Sequence, residues 1–291
     1  MAPDIEALRE QIAARLPRVA AEVQALARNS ISVKPVPVKD EALLPPGTSK
    51  FGGLPDLPED VGWPEWNGKP LAFIAQFNLE EVAPFDLERL LPATGMLYFF
   101  YDAQMETWGD TPEDKDGARV LYYSGDIARI RRAPFPETLH EWGRDYPACR
   151  LELSSVLSMP SSDSMYIASL DLTEEEVAAY NGLEEWLAGS DEDSADHRLL
   201  GYPTPIQQDD MEELCALVTG GIYVGSAEGY ESEKEEELMK TAADWLLLLQ
   251  VDSDDNAGMM WGDAGTIYYW IKRGDLAQRN FDDSWLVLQC Y

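Results

Sequence analysis

Four oxygen-bearing side chains near the end of the chain have the spacing of a calcium-binding loop. Positions 1, 3, 5 and 12 of such a loop are held by Asp252, Asp254, Asn256 and Asp263. Their carboxylate and amide oxygens are ligands that Ca²⁺ prefers, but position 6 is Ala257 where these loops have glycine. The segment predicts either a Ca²⁺ site or a strand connection whose Asp and Asn side chains bond to their own backbone.

A Trp-Gly-Asp tripeptide occurs twice, at residues 108–110 and 261–263. An exposed indole beside a carboxylate can stack on a sugar ring and hydrogen-bond to its hydroxyl groups. Trp108 and Trp261 are therefore candidate binding residues. The alternative for Trp261 is that it covers the core, because a glycine-led apolar strand follows it directly.

Glutamines close three apolar runs, at Gln76, Gln250 and Gln289. A buried amide that lacks a hydrogen-bond partner costs about 1–3 kcal/mol, so each of these side chains needs one. Gln76 and Gln250 predict either a polar binding cluster between the two halves of the chain or a tie from each strand end to a neighbouring loop.

Other reaction classes find little support in the sequence. No G-x-G-x-x-G motif occurs, and Pro70 after Gly68-Lys69 excludes a nucleotide-binding P-loop. His140 lacks the second histidine of a zinc helix, and His197 lies in an acidic segment where we expect it to pair with a carboxylate. The three cysteines are far apart, so no disulfide or thiolate metal site is predicted. We expect no catalytic residues and no cofactor other than Ca²⁺.

Charge is the most unusual property of the composition. The formal net charge is −32, and residues 151–233 contain 19 acidic side chains and one basic side chain, Arg198. Such a surface repels nucleic acid and anionic membranes. It would attract a basic protein, although carboxylates also serve solubility alone. With no signal peptide or membrane-length apolar run in the sequence, we expect a soluble cytoplasmic protein.

The apolar pattern predicts a helical segment at the start of the chain, strands after it, helices in the middle and strands again at the end. A stripe from Ile5 to Leu26, interrupted by Pro17, predicts one kinked helix or two short ones. Pro35 and Pro37 then favour an edge strand or an extended linker. Further strands are predicted at 71–77, 96–101, 120–123, 151–157, 245–251, 266–271 and 285–290, and helices at 173–187, 211–218 and 233–244. This order predicts an α+β fold of mainly antiparallel sheets with helices packed on them.

The two ends of the chain also echo each other. Each contains Gly-x-Pro, an apolar run closed by glutamine, and a glycine-led aromatic run in the same order. We therefore predict an N-terminal helix and lead-in over residues 1–40, followed by one domain over residues 41–291. That domain would contain an internally duplicated unit, with quasi-repeats at about 48–135 and 199–291 and an acidic helical insert between them.

The ordered set of motifs resembles the YwqG-like family of bacterial proteins. The motifs are Lys50–Pro55, Leu71–Gln76, Gly95–Phe99, Leu200–Pro203, Leu247–Gln250 and Trp261–Gly265. The resemblance covers roughly residues 40–291 and implies an α+β protein with an internally repeated sheet. The family is a domain of unknown function, so the resemblance supplies no catalytic residues. The N-terminal helix and the acidic loop around Asp191 are expected to follow the family least closely.

Two functions fit these observations. The first is a non-enzymatic protein-interaction module whose strongly acidic surface binds a basic partner. The second is a domain that binds a small ligand, a sugar or Ca²⁺, with its site between the repeats or in the Asp252–Asp263 loop.

Overall fold

Strands dominate the described part of the chain, which comprises residues 4–142, 144–189, 195–208, 210–224 and 233–291 of the computed structural model. The strands are β1 (Arg28–Pro37), β2 (Lys50–Phe51), β3 (Asp56–Pro58), β4 (Glu65–Trp66), β5 (Lys69–Pro70), β6 (Ala72–Asn78), β7 (Met96–Tyr101), β8 (Ala118–Tyr123), β9 (Ile130–Arg132), β10 (Cys149–Ser158), β11 (Arg198–Leu199), β12 (Trp245–Asp252), β13 (Thr266–Lys272) and β14 (Trp285–Gln289). The helices are α1 (Ile5–Arg15), α2 (Ala20–Ala25), α3 (Leu79–Val82), α4 (Met165–Ala168), α5 (Glu174–Ala188), α6 (Met211–Thr219), α7 (Glu233–Met239) and α8 (Arg273–Gln278). In these ranges, no helix is long and apolar enough to cross a membrane.

Ten of these strands form one sheet in the order β14-β13-β12-β11-β1-β10-β2-β6-β7-β8. Neighbouring strands in it are antiparallel, and β3–β9 and β4–β5 form two small separate pairs. Strands β6, β7, β12 and β13 are buried along nearly their whole length. Because successive side chains alternate between the faces of a sheet, both faces are covered there. The predicted α+β class with a mainly antiparallel sheet is confirmed. The predicted acidic loop around Asp191 lies outside the described residues.

In the first half of the chain, the pairing of β6 is set around Gln76. Gln76 lies opposite Tyr98 of β7 on one side and opposite Lys50 of β2 on the other. Between Phe73 and Ala75 the register shifts by one residue, which marks a bulge.

In the second half, β12 has the same arrangement around Gln250. Gln250 lies opposite Tyr268 of β13 on one side and opposite Arg198 of β11 on the other. Its register also shifts, between Leu247 and Leu249. The two glutamines thus have matching neighbours and a bulge at the same distance along their strands.

Strand β1 lies in the middle of the sheet, between β10 and β11. Its prolines had favoured an edge strand or a linker, and that prediction is wrong. The pairing of β1 with β11 covers Ile31 and Ser32, so Pro35 and Pro37 lie beyond it, where a missing N–H disrupts no ladder on that side. The large sheet therefore includes residues on both sides of the predicted boundary at residue 40.

The N-terminal apolar stripe forms two helices, α1 and α2, with Pro17 between them. Its apolar side chains pack on α5, where they meet Tyr180 and Leu183 in one buried cluster. Helix α5 begins at the capping box predicted from Thr173 and Glu176. The stripe is thus covered by its own chain.

Helix α6 packs on the strands at the end of the chain. Met211 and Cys215 of α6 share a buried cluster with Trp245, Trp270 and Trp285 of β12, β13 and β14. Because β14 is an edge strand of the sheet, its outer side is available to other segments, and the loop before β8 lies against it.

Candidate binding sites

Asp252, at the end of β12, is surrounded by hydrogen-bond donors of the protein. Its Oδ1 accepts from the N–H of Ser253 and from the hydroxyl of Thr266, each at 2.8 Å. Its Oδ2 accepts from the N–H of Asp196 at 3.0 Å. Both carboxylate oxygens are therefore engaged within the chain.

Asp254 forms a buried pair with His197, as expected for a histidine in an acidic segment. The distance from His197 Nε2 to Asp254 Oδ2 is 3.1 Å, and Asp254 Oδ1 accepts from the N–H of Asn256 at 2.6 Å. The N–H of Asp252 points at His197 Nδ1 from 3.1 Å. Nδ1 therefore accepts from the backbone of Asp252, and Nε2 faces the carboxylate of Asp254. The hydrogen bond from His197 holds the pKa of Asp254 below its ordinary value.

The other two members of the predicted calcium loop, Asn256 and Asp263, are exposed. Throughout the described ranges, no group of three or more His, Cys, Asp or Glu side chains has an arrangement that could hold a metal ion. To bind Ca²⁺, the carboxylates of Asp252 and Asp254 would have to exchange their present donors for the ion. The Ca²⁺ site stays a prediction.

Gln76 is fully buried and fastens the loop before β3 to the sheet. Its Oε1 accepts from the N–H of Asp56 at 2.8 Å. Its Nε2 donates to the carbonyl of Thr48 at 2.9 Å and to Asp56 Oδ2 at 2.8 Å. The amide is satisfied on both sides, as its burial requires.

Gln250 likewise fastens the segments on both sides of β11 to the sheet. Its Oε1 accepts from the N–H of Thr204 at 2.9 Å, and its Nε2 donates to the carbonyl of Asp196 at 2.8 Å. Gln289, at the end of β14, similarly accepts from the N–H groups of Ile206 and Gln207. These positions correspond to the loop-tying alternative, with Gln76 and Gln250 both buried at their respective strands.

Beside Gln76 lies a network of four charged side chains that sequence reasoning missed, in which Lys50 and Asp56 are fully buried and Arg132 and Glu41 are 22% and 21% exposed. Lys50 is fully buried, and its Nζ lies 2.5 Å from Glu41 Oε1 and 3.8 Å from Asp56 Oδ2. It also donates to the carbonyl of Leu54. Arg132 Nε donates to Asp56 Oδ1 at 3.0 Å. The two positive and two negative charges balance, as buried charges must.

Burial is the main cause of the lowered pKa of Lys50, and its interactions with Asp56 and Glu41 oppose that effect. The charge of Lys50 within a glycine-rich motif is a signal that could have drawn attention to it. Arg132, however, contacts Asp56 from 76 residues away, a distance that no local pattern bridges.

Trp261 is fully buried. Its ring packs edge-on against Tyr101 and Tyr146, with ring centres 5.9 Å away in each case, and its Nε1 donates to the carbonyl of Asp252 at 3.2 Å. This leaves no exposed face on which a sugar could stack. The core-covering alternative describes the position of Trp261.

Trp108, in the other copy of the tripeptide, is 43% exposed. It lies in the loop that runs along β14. Gly109 has a φ of +87°, and a Cβ there would collide with the carbonyl of Leu286. Glycine therefore permits both the turn and the close approach of the loop to the edge strand.

Two of the three cysteines, Cys149 and Cys215, are buried. Burial raises the pKa of Cys149 to about 11, and it raises the pKa of the buried Cys215. A thiol with a raised pKa is protonated at neutral pH and reacts poorly.

The architecture is that of an α+β protein built on one large antiparallel sheet. Residues 49–290 match the family described as a domain of unknown function, DUF1963, and the chain belongs to that family. A search of curated proteins found no match. The family match leaves α1, α2 and β1 outside its limits. Since the function of the family is unknown, it assigns no activity to any residue of this chain.

Proposed function

We propose that this protein is a non-enzymatic protein-interaction module whose acidic surface binds a basic partner. The observation that carries the proposal is the uneven excess of negative charge, with 19 acidic side chains and one basic side chain between residues 151 and 233. A surface of one sign accelerates encounter with a partner of the opposite sign and disfavours partners of its own sign.

Helix α5 carries part of this charge toward solvent. Glu174, Glu175 and Glu185 are exposed, whereas Tyr180 and Leu183 on the same helix are buried against α1 and its neighbours. The helix thus combines an apolar inner side with carboxylates outside. A partner could approach those carboxylates without disturbing the core.

Helix α7 adds a second group of exposed carboxylates. Glu233, Glu236 and Glu237 are exposed, and Lys240 pairs with Glu237. Exposed ion pairs of this kind contribute about 0–1 kcal/mol, so a basic partner could displace the lysine at little cost.

The burial of three potentially reactive side chains favours a binding role over catalysis. Lys50, Asp56 and His197 are almost fully buried, and each is hydrogen-bonded to other groups of the chain. A substrate could reach them only after the surrounding structure had opened.

Capture from a cell lysate on the immobilised full chain tests the proposal. We expect a basic protein that is retained at low salt and released at high salt, because screening shortens the reach of surface charges. The matched variant carries Glu174→Gln, Glu175→Gln and Glu185→Gln, which preserve side-chain shape. It should retain less of the partner. If no salt-sensitive basic protein is retained, or the variant retains it equally, the proposal is wrong in its present form.

A second candidate function is binding of a small ligand, a sugar or Ca²⁺ beside the Asp252 loop. Two adjoining cavities of about 400 and 700 Å³ share Ala195, Ser253 and Ala264 in their walls. Thermal unfolding with millimolar CaCl₂, against NaCl of equal ionic strength, tests the cation. A specific site would stabilise the protein in Ca²⁺ alone, by about 2.7 kcal/mol at a hundredfold excess over Kd. Equal responses to both salts would indicate charge screening only.

We also propose that the two halves descend from a duplicated unit, as in the YwqG-like proteins that the sequence resembles. In support, Tyr98 donates its hydroxyl to the carbonyl of Asp56 and Tyr268 donates its hydroxyl to the carbonyl of Thr204, at 2.6 and 2.8 Å. Alignment of the two halves across DUF1963 sequences should pair Gln76 with the second-half glutamine of β12. A different optimal register would contradict duplication.

A further inference from the structure

A pocket of about 420 Å³ lies beside the edge strand β14, between the Trp108 loop and α6. We call it the Trp108 pocket. The residues that matter for its chemistry are Trp108, Asp110, Asp210, Leu214, Val224 and Val287. It therefore combines an exposed indole, two acidic residues and aliphatic side chains, and its walls also include Gln207, Gln208 and Gln289. The residues that line it, in the described part of the chain, include no lysine, arginine or histidine.

The backbone of the Trp108 loop is fixed from two sides. Asp114 Oδ2 accepts from the N–H groups of Trp108 and Gly109, at 3.2 and 2.7 Å. On the other side, the N–H of Leu288 donates to the carbonyl of Trp108, and Trp285 Nε1 donates to the carbonyl of Gly109, both at 3.0 Å. These four bonds fix the backbone of the loop that carries the exposed indole before any ligand arrives. A loop that is already ordered loses little entropy on binding.

The backbone of Asp110 is fixed by the same hydrogen-bonded segments. The N–H of Val224 donates to the carbonyl of Asp110 at 3.0 Å, which ties the Trp108 loop to the segment after α6. Asp210 directly precedes α6, and its side chain makes no capping bond to that helix. Its carboxylate is thus not committed to closing the first turn. The walls of the pocket thus bring together two acidic residues, an exposed tryptophan and aliphatic side chains.

This combination selects a cation with an apolar stem. A cation over an indole gains about 0.5–2 kcal/mol, depending on its desolvation. An arginine suits the pocket better than a lysine, because its planar guanidinium stacks on an aromatic face while its N–H groups reach carboxylates. Its methylene groups would lie on Leu214, Val224 and Val287. A neutral sugar could stack on Trp108 and donate hydroxyl hydrogen bonds to the carboxylates, but it would bring no positive charge to balance them.

We infer that the Trp108 pocket binds the guanidinium group of an arginine side chain on the basic partner. The inference rests on the proposed function and extends it by naming the anchor residue of the partner. The acidic helices would draw the partner in, and the pocket would fix its register.

Calorimetric titration of the full chain with a matched set of peptides tests the inference. The probe is a short lysine-rich peptide with one central arginine, and the control is the same peptide with citrulline, which keeps the shape and loses the charge. We expect the citrulline peptide to bind about tenfold more weakly, since cation–π and charge-assisted contacts are both lost. Equal affinities of the two peptides would overturn the inference.

Protein variants locate the effect. Trp108→Ala and Asp210→Asn should each weaken the arginine peptide about three- to tenfold and leave the citrulline peptide nearly unchanged. Both variants should fold, because the loop is held through the backbone of Trp108 and Asp210 makes no helix-capping bond; thermal unfolding checks this. Tyr291→Ala and Asp60→Asn are the matched controls, since they change an exposed aromatic and an exposed carboxylate outside the pocket.

The outcomes separate the two proposals. If basic peptides bind with a salt-dependent affinity that Trp108→Ala and Asp210→Asn do not alter, the pocket inference is wrong while the acidic-surface proposal stands. If the wild-type chain binds no basic peptide at low salt and retains no basic protein from lysate, the proposed function itself is wrong.

Discussion

Removing the charge of Asp56 should destabilise the protein far more than removing a similar charge at the surface. Asp56 is fully buried, and its two oxygens accept from Arg132, Gln76 and the N–H of Gly47. Asp56→Asn keeps nearly the same shape. It leaves Lys50 and Arg132 with Glu41 as the remaining carboxylate of the network, so a positive charge is left uncompensated in the interior.

The expected loss is about 3–5 kcal/mol, because breaking one partner of a buried ion pair leaves the other charge desolvated. The matched control is Asp116→Asn. Asp116 pairs with Arg119 at 2.8 Å on the surface, where an ion pair contributes about 0–1 kcal/mol. The two substitutions make the same chemical change at a buried site and at an exposed one.

Urea unfolding, followed by tryptophan fluorescence, measures both changes in the free energy of unfolding. Lys50→Met then completes a double-mutant cycle. Since Lys50 is one of the charges that Asp56 balances, Asp56→Asn should cost about 1–3 kcal/mol less in the Lys50→Met background. Equal costs for the buried and surface substitutions, or strictly additive costs in the cycle, would refute the account of the network.

Three further outcomes are expected. Cys290, which is partly exposed, should react with a thiol reagent in the folded protein, whereas Cys149 should react only on unfolding; equal rates in native buffer would contradict its burial. Burial raises the pKa of Tyr146 to about 12, so the folded state keeps a proton that the unfolded state loses near pH 10, and stability falls as the pH rises from there. Tyr146→Phe should reduce that loss of stability by up to about 2–3 kcal/mol when unfolding is measured near pH 12. The prediction is wrong if stability depends on pH in the same way in the variant and in the wild type. The pKa of Glu176 is lowered to about 2, mainly by its hydrogen bond from Arg18. Its contribution to stability is therefore lost as the pH falls below the ordinary glutamate range. Arg18→Ala should raise that pKa in an NMR carboxylate titration, and an unchanged value would exclude Arg18 as the cause.

Much of the fold could be predicted because burial leaves a direct record in the sequence. The apolar runs of β6, β7, β12, β13 and β14 are buried on both faces, so each appears as a continuous hydrophobic segment. The central position of β1 could not be predicted. Its prolines are compatible with a central strand only because its pairing with β11 is short, and the length of a distant partner leaves no mark in the local sequence.

The candidate sites were predicted less completely. That His197 pairs with a carboxylate could be expected from its acidic surroundings, although its partner Asp254 lies 57 residues further along the chain. Trp108 could be singled out by its tripeptide. The pocket beside Trp108 could not, because its aliphatic side chains come in part from β14 and α6, which follow it by about a hundred residues or more. The two copies of the Trp-Gly-Asp tripeptide also lie in different environments, since Trp261 is in the core and Trp108 is at the surface.

The central position of β1 has consequences for the choice of fragments of this family and for folding during synthesis. A fragment limited to residues 49–290 would lack β1, and β10 and β11 would each be left with an open hydrogen-bonding edge of the kind that promotes aggregation. During synthesis β1 is made more than a hundred residues before its partner β10. The middle of the sheet can therefore be completed only after the later part of the chain has been made.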